Sequence, residues 1–401
     1  MNTPYTTSKD QVAAPRNDWD RSGLPAWTYT NPELFELEKT LLFRQHWQIA
    51  GHVADVPNAG DFVCFDIVGE RALIVRGKDD EIRGFHNVCR HRGSRVVATD
   101  EGSCKSALVC PFHGWSFNLD GTLRSVPAKR TLPDLDPVEH GLVPLETEIW
   151  MGFIFVRFQT GPQPSVAELM APVADEISLY RPAGMVRCGG IQTWSIPVNW
   201  KAVRDVDNEG YHVPIAHPGL QDLYGKNYYD EQLANNISRS FGPFNEETAR
   251  LWSVRSYRKL LPKVEHLPSS HQNAWLYIGL FPNAVMYFYP DSIGFYQEVP
   301  VSPSETIQRS SEYGHAGACR QMKAAQYLNN RINRDTAEED IQLTIWSCEA
   351  AQSSGYQGII LSDLEYGVRA HHDGLRNLIP ALSLNDEPEV GTLANVNASM
   401  Q

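Results

Sequence analysis

No run of about 18 apolar residues occurs in these 401 residues, so no part of the sequence reads as a membrane-spanning helix. The opening MNTPYTTSKDQ lacks the charged-then-apolar layout of a secretory signal. No G-x-G-x-x-G unit is present, so any nicotinamide site is expected on a separate protein. Repeats and low-complexity segments are absent too. Positive charge is in short supply: 35 Lys and Arg stand against 48 Asp and Glu, for a net charge of −13. That balance argues against a nucleic-acid surface; it suits a soluble enzyme and could help dock a basic electron donor. Cysteine is sparse and odd in number, with seven at positions 64, 89, 104, 110, 188, 319 and 348. Without a secretory signal these do not form a disulfide framework. A cytoplasmic location is expected, where paired cysteines read as metal ligands.

What is present has the balance of a globular chain, 42% apolar and 21% charged, and its length favours two or three domains. Apolar residues at helical spacing behind an Asn-Pro start predict a helix over 31–47. From 48 to about 158 the pattern turns to short alternating runs, with a hairpin turn at Leu119-Asp120-Gly121-Thr122. A Pro- and Gly-rich linker falls at 161–165. Beyond it, helices are predicted near 166–180, 200–213, 318–329 and 336–353, with aromatic strands over 273–299. The expected fold class is α+β: a small all-β domain, then a larger one with helices packed on an antiparallel sheet. The expected boundaries are 1–47 for an N-terminal segment packing on the larger domain, 48–160 for the β domain and 161–401 for the rest.

The strongest chemical signal is Cys89-Arg90-His91 with Cys110-Pro111-Phe112-His113, a C-x-H-x18-C-x2-H pattern on two loops between predicted strands. Two thiolates and two imidazoles can hold tetrahedral zinc, although zinc ribbons usually pair Cys with Cys and His with His. Here each loop supplies one of each. Crossed pairs suit a diiron cluster in which one iron takes both sulfurs and the other both imidazoles. Gly93 and Gly114 follow the histidines, where tight loops need a residue without Cβ.

A second signal lies in NWKAVRDVDNEGYHVPIAHPGL. If 200–213 is helical, Asp205, Glu209 and His212 share a face. Pro214 would end that helix and let the chain bring His217 beside His212. Two such imidazoles with one carboxylate make the facial triad of an O₂-activating Fe(II). An isolated H-x4-H is also the pattern of ordinary loop histidines. For the carboxylate, Glu338, Glu339 and Asp340 are equal rivals by spacing, and Thr336 with Glu339 reads as a helix-capping box.

NVCRHRGS and CPFHGWSFNLDGTLRSVP resemble the cluster loops of Rieske non-haem iron oxygenase α-subunits, and FRQHWQIAGH is similar to the segment before them. The resemblance implies a [2Fe–2S] cluster, with Cys89 and Cys110 on one iron and His91 and His113 on the other. High-potential Rieske proteins add a disulfide between the loops; only Cys104 lies near, so the oxygenase type fits better. The NWK…YH-x4-HP segment also resembles the family, matching Asp205, Glu209, Tyr211, His212 and His217, with Val206 where Asn is usual. Glu339-Asp340, Leu343, Trp346 and Ser353-Ser354-Gly355-Tyr356 match a family helix in order, with Cys348 in place of Gln. The resemblance thus makes Asp340 the third ligand of a mononuclear Fe(II). It further implies a homotrimer in which His113 of one copy bonds Glu209 of the next, with Asp205 as a partner orienting an imidazole or this path. A separate NAD(P)H-dependent reductase, possibly with a ferredoxin, would supply electrons.

The pocket is expected between the His212/His217 segment and the sheet bearing Tyr277, Phe281, Tyr287, Phe288, Tyr289, Phe295 and Tyr296. Such a pocket suits a planar ring or a quaternary ammonium. The expected activity is monohydroxylation or oxidative demethylation of a small organic substrate. The alternatives are arene cis-dihydroxylation and, in another class, an electron carrier or zinc protein.

Overall fold

The computed structural model describes residues 5–7 and 19–401. These form two compact units: Phe43–Glu168, and a second that joins the described residues up to Leu42 to Leu169–Gln401. No helix among the described residues is long and apolar enough to cross a membrane.

The chain begins with strand β1 (Tyr5–Thr7) and helix α1 (Pro32–Glu38) of the second unit. Asn31 starts α1, its side chain accepting the Leu34 N–H at 2.7 Å with Pro32 in the first turn. The expected helix over 31–47 is shorter than its apolar pattern. It widens into a π-helical turn at Lys39–Phe43 that keeps Leu42 and Phe43 fully buried, and gives way to strand by Gln48.

The first unit is built of short antiparallel strands. β2 (Gln48–His52) pairs β11 (Phe153–Arg157), which pairs β10 (Glu146–Trp150). β3 (Asp61–Ile67), β4 (Glu70–Arg76), β5 (Ile82–His86) and β6 (Glu101–Ser103) form a second sheet in the order β5-β4-β3-β6. β7 (Leu108–Val109), β8 (Ser116–Phe117) and β9 (Leu123–Ser125) form a third. Gly121, at φ +86°, turns the chain between β8 and β9, and the Asn118 N–H donates to the Thr122 carbonyl at 2.9 Å. Leu73, Val75, Phe85, Val96, Leu108 and Phe117 pack around the two ligand cysteines.

In the second unit, the helix expected over 166–180 is broken into α2 (Val166–Leu169), a 3₁₀ turn and α3 (Ala174–Ser178), because Pro172 cannot donate to a continuous ladder. β12 (Met185–Arg187) and β13 (Gln192–Ile196) follow, then α4 (Trp200–Asp207), α5 (Val213–Ala216), α6 (Pro218–Tyr224), β14 (Tyr229–Gln232) and β15 (Ile237–Pro243). After α7 (Trp252–Leu260) come β16 (Ala274–Leu280), β17 (Ala284–Phe288), β18 (Ser292–Ser302) and β19 (Glu305–His315). Antiparallel pairing orders them β1-β14-β15-β16-β17-β18-β19-β12, with β13 also on β19. The chain closes with α8 (Arg320–Ala351), α9 (Tyr366–Leu378) and α10 (Leu393–Met400).

Two predictions about helices are corrected here. The pair expected at 318–329 and 336–353 is one helix of 32 residues, α8. Residues 330–335 hold neither Pro nor Gly, so nothing interrupts the ladder, and Thr336 with Glu339 caps nothing. The helix expected over 200–213 stops at Asp207, and Pro214 sits in the first turn of α5 rather than ending a helix. α4 is tied to α1 by a buried ion pair, Lys201 Nζ to Glu38 Oε1 at 2.5 Å, with Trp200 Nε1 donating to Glu38 Oε2 at 2.9 Å.

Candidate active site

In the first unit the two ligand loops are near copies of each other. The Gly93 N–H donates to the Cys89 carbonyl and the Gly114 N–H to the Cys110 carbonyl, each at 3.0 Å. The Cys89 N–H donates to the Ser94 carbonyl at 2.7 Å and the Cys110 N–H to the Trp115 carbonyl at 2.9 Å. Gly93 and Gly114 share the same φ of +73°, which an L side chain rarely adopts. Cys89 and Cys110 are buried as free thiols, while His91 and His113 are exposed with ring centroids 4.6 Å apart. His91 stacks on Trp115 at 5.1 Å. Burial pushes the Cys89 thiol up, the backbone N–H of His91 beside its sulfur lowers it, and the adjoining Cys110 thiol raises it again. Two unpaired buried thiols that crowd each other, below two outward imidazoles, fit a cluster with one sulfur-bound and one imidazole-bound iron.

In the second unit His212, His217 and Asp340 converge. His212 Nε2 and His217 Nε2 are 3.0 Å apart, and Asp340 Oδ1 is 2.8 Å from the latter and 3.4 Å from the former. Three ligands on one face of an octahedron, each about 2.1 Å from an ion, stand about 3.0 Å apart, whereas a tetrahedral set spreads to about 3.4 Å. Asp340 Oδ1 is buried and, among the described residues, has no hydrogen-bond partner of acceptable angle. An acceptor so placed fits a cation. Burial lowers the His212 imidazole, but Asp340 and Glu209 outweigh it and raise the group to about 10. Burial likewise lowers His217, and Asp340 and Glu339 outweigh it and raise the group. Burial raises Asp340, and the two imidazoles bring it below its ordinary value.

Each imidazole is steered from behind. Glu209 Oε1 bonds His212 Nδ1, and its Oε2 accepts the His212 N–H at 3.1 Å. Glu339 Oε2 stands 2.8 Å from His217 Nδ1. These carboxylates fix the tautomer that leaves Nε2 free for a metal. Glu339, weighed from sequence as a rival ligand, takes this outer place: on α8 one residue turns the side chain about 100°.

Asp205 does not share a face with Glu209 and His212, because α4 ends before Glu209 is reached. It accepts instead from Tyr29 Oη at 2.5 Å and pairs with His372 Nε2 at 2.8 Å. The imidazole it meets is that of His372, not His212 or His217. Asp207, not singled out from sequence, lines the cavity beside the triad. Its signal was hidden by the assumption of a continuous helix, which put it off the working face.

The cavity measures 890 Å³ and is walled by the triad, β13, the central strands and α8. Strand alternation divides the aromatic residues. Tyr277, Tyr287, Tyr289 and Tyr296 line it, while Phe288 and Phe295 point away, and Phe281, past the end of β16, does not line it either. Register explains the row: Tyr277 faces Tyr287 and Ser240, Tyr287 faces Gly294, and Tyr296 faces Val285 and Ser310. Gly294 keeps this wall thin, since a Cβ there would lie 2.3 Å from both Tyr287 Oη and the Ser311 carbonyl.

Two family models match the chain, the Rieske [2Fe-2S] domain over residues 46–136 and the ring hydroxylating alpha subunit (catalytic domain) over 181–381. The carnitine monooxygenase oxygenase subunit of Escherichia coli (strain K12) is 31% identical over 242 residues, 60% of this chain and 64% of that protein. The match therefore spans just under two thirds of this relative's length. The glycine betaine monooxygenase oxygenase subunit of Chromohalobacter salexigens is 26% identical over 402 residues, 92% of this chain and 88% of that protein. The solved structure of a quaternary ammonium Rieske monooxygenase shares the fold with a TM-score of 0.76 at 22% identity, covering 89% of this chain and 95% of that one.

Proposed function

Because the chain belongs to the ring hydroxylating alpha subunit family and carries a Rieske [2Fe-2S] domain, we propose that it is the terminal oxygenase of a multicomponent system that monohydroxylates or oxidatively demethylates a small substrate. A quaternary ammonium compound is the favoured class, on the names of the relatives and the tyrosine-walled cavity. Cys89, His91, Cys110 and His113 would hold the cluster, and His212, His217 and Asp340 a mononuclear iron. When bound, the cluster supplies electrons one at a time and the iron activates O₂.

The rest is done by the chain's own side chains. Glu209 and Glu339 keep both Nδ1 atoms engaged, so each Nε2 points at the metal position. The tyrosines and Val203, Val213 and Leu220 hold the substrate's apolar body against that position and keep bulk water from it. Glu209, in contact with His212, is the expected entry for an electron arriving through His113 of a neighbouring copy in a trimer. A separate cytoplasmic NAD(P)H-dependent reductase would reload the cluster.

The observation that carries this reading is the buried Asp340 Oδ1 without a hydrogen bond, facing the Nε2 atoms of His217 and His212 at 2.8 and 3.4 Å on the cavity wall. The test is iron and acid-labile sulfide analysis with EPR on anaerobically purified wild type and His217→Ala, together with formaldehyde release from betaines. About three irons and two sulfides per chain, with the variant keeping its Rieske signal and losing one iron, is the expected result. Zinc in place of iron would overturn it, and two irons in both proteins would leave only an electron carrier. Both atoms of ¹⁸O₂ in one product would favour a dihydroxylase.

A further inference from the structure

Deeper in the cavity wall, a cluster of buried charges does not sum to zero. Asp207, the last residue of α4, accepts from Tyr296 Oη at 3.1 Å and from Arg204 Nη1 at 3.3 Å. The same guanidinium nitrogen lies 3.7 Å from Glu298 Oε2. Arg204 and Glu298 are almost wholly buried, and Glu298 Oε2 has no hydrogen-bond partner among the described residues. Two carboxylates therefore share one guanidinium. Of the three groups only Asp207 lines the cavity, with its side chain one-fifth exposed.

A surplus negative charge behind a low-dielectric wall is costly unless a cation meets it. Outside the triad, whose own carboxylate offsets its charge, no buried side chain among the described residues of this wall supplies one. Arg331 and Arg334 reach the cavity from α8, but both are largely exposed and stand near Asp335, so solvent screens them. Asp207 also lies among rings whose faces attract cations: Tyr296, its hydrogen-bond donor, stacks with Tyr287 at 6.5 Å, and Tyr287 with Tyr289 at 4.9 Å.

We infer that Asp207 is the counter-ion for a permanently cationic substrate head group, and that it sets the selectivity of this cavity for that group over a neutral molecule of the same shape. This rests on the oxygenase reading above for the reaction, but not for the binding. A neutral ring or alkyl group would leave the carboxylate unmatched. A quaternary ammonium, which has no proton to donate, would be held by charge and ring faces alone.

The test compares choline with its uncharged isostere 3,3-dimethylbutan-1-ol, by calorimetric titration into the anaerobic, iron-loaded full-length chain. Wild type is expected to bind choline at least about tenfold more tightly. Asp207→Asn keeps an acceptor for Tyr296 while removing the surplus charge, and should shrink that ratio to within about twofold by weakening choline alone. Glu298→Gln cancels the same surplus by neutralising the other carboxylate, without touching the cavity, and should act in the same direction, so the test stands even if one variant fails to fold. A ratio preserved in both variants, or absent from wild type, overturns the inference. Formaldehyde release by the same wild-type preparation is scored separately. A preserved ratio with formaldehyde formed overturns Asp207 alone, whereas no oxygenated product from any substrate overturns the oxygenase reading.

Discussion

Glu339 and Asp340 are neighbours with different tasks: one steadies His217 from behind, the other faces its metal-binding nitrogen. Their substitutions should separate. Asp340→Ala is expected to abolish mononuclear iron binding and turnover while leaving the Rieske EPR signal intact. Glu339→Ala should leave iron bound but about 10- to 100-fold more weakly, as read by anaerobic iron titration, with Glu339→Gln milder because it keeps a partner for Nδ1. Away from the metal, burial works against ionised Glu176, yet hydrogen bonds from Arg239 and His271 hold it down at about 2, below its ordinary 4.5. A lowered folded value adds stability above pH 4.5, and that stability drains away as pH falls toward 2. Denaturant melts at stepped pH should therefore show Glu176→Gln weaker than wild type at neutral pH, the gap closing in acid. The candidate ligands were legible in spacing and motif: four residues for a cluster and two histidines required no coordinates to nominate. Spacing alone could not choose between Glu339 and Asp340, because that depends on helix rotation relative to distant imidazoles; the family resemblance chose Asp340. Asp207 escaped notice for a related reason, since the true end of α4 decides which way it points.

The elements show where periodicity suffices and where it fails. Alternation along β17 and β18 sends Tyr287 and Tyr296 to the cavity and Phe288 and Phe295 away from it, a pattern present in the sequence once strand bounds are known. Gly294 is the small residue opposite Tyr287. Gly294→Ala would force backbone or ring to move, and should cost about 1–3 kcal/mol in denaturant unfolding and weaken ligand binding. The two helices expected over 318–353 failed because a capping signature was read where the chain runs on. Thr-x-x-Glu caps only if the preceding residues leave the helix, and nothing in 330–335 makes them do so. Asp335→Pro, in the middle of α8, should cost about 3 kcal/mol or more and strip the mononuclear iron while sparing the cluster. Paired melting and metal analysis would check both parts.

At the scale of the whole molecule, α+β architecture and a division into a small β unit and a larger mixed one followed from the change in pattern near residue 160, although contacts divide the chain at Leu169. The proposed route through a neighbouring copy makes a distinctive demand. A Cys110→Ala chain, lacking the cluster, and a His217→Ala chain, lacking iron, should each be inactive. Co-refolded or co-expressed, they should recover measurable turnover, because intact halves then meet across copies. Inactivity of the mixture, with trimers shown by sedimentation, would confine electron flow to single chains.

α8 spans from Tyr327 and Asn330 at the cavity wall to Asp340 without a hinge. Thirteen residues of unbroken helix make a rod of about 20 Å. A rod transmits displacement rather than absorbing it. Tyr327 at the cavity wall and the Asp340 carboxylate therefore ride on one stiff element, with no joint between them to take up a strain.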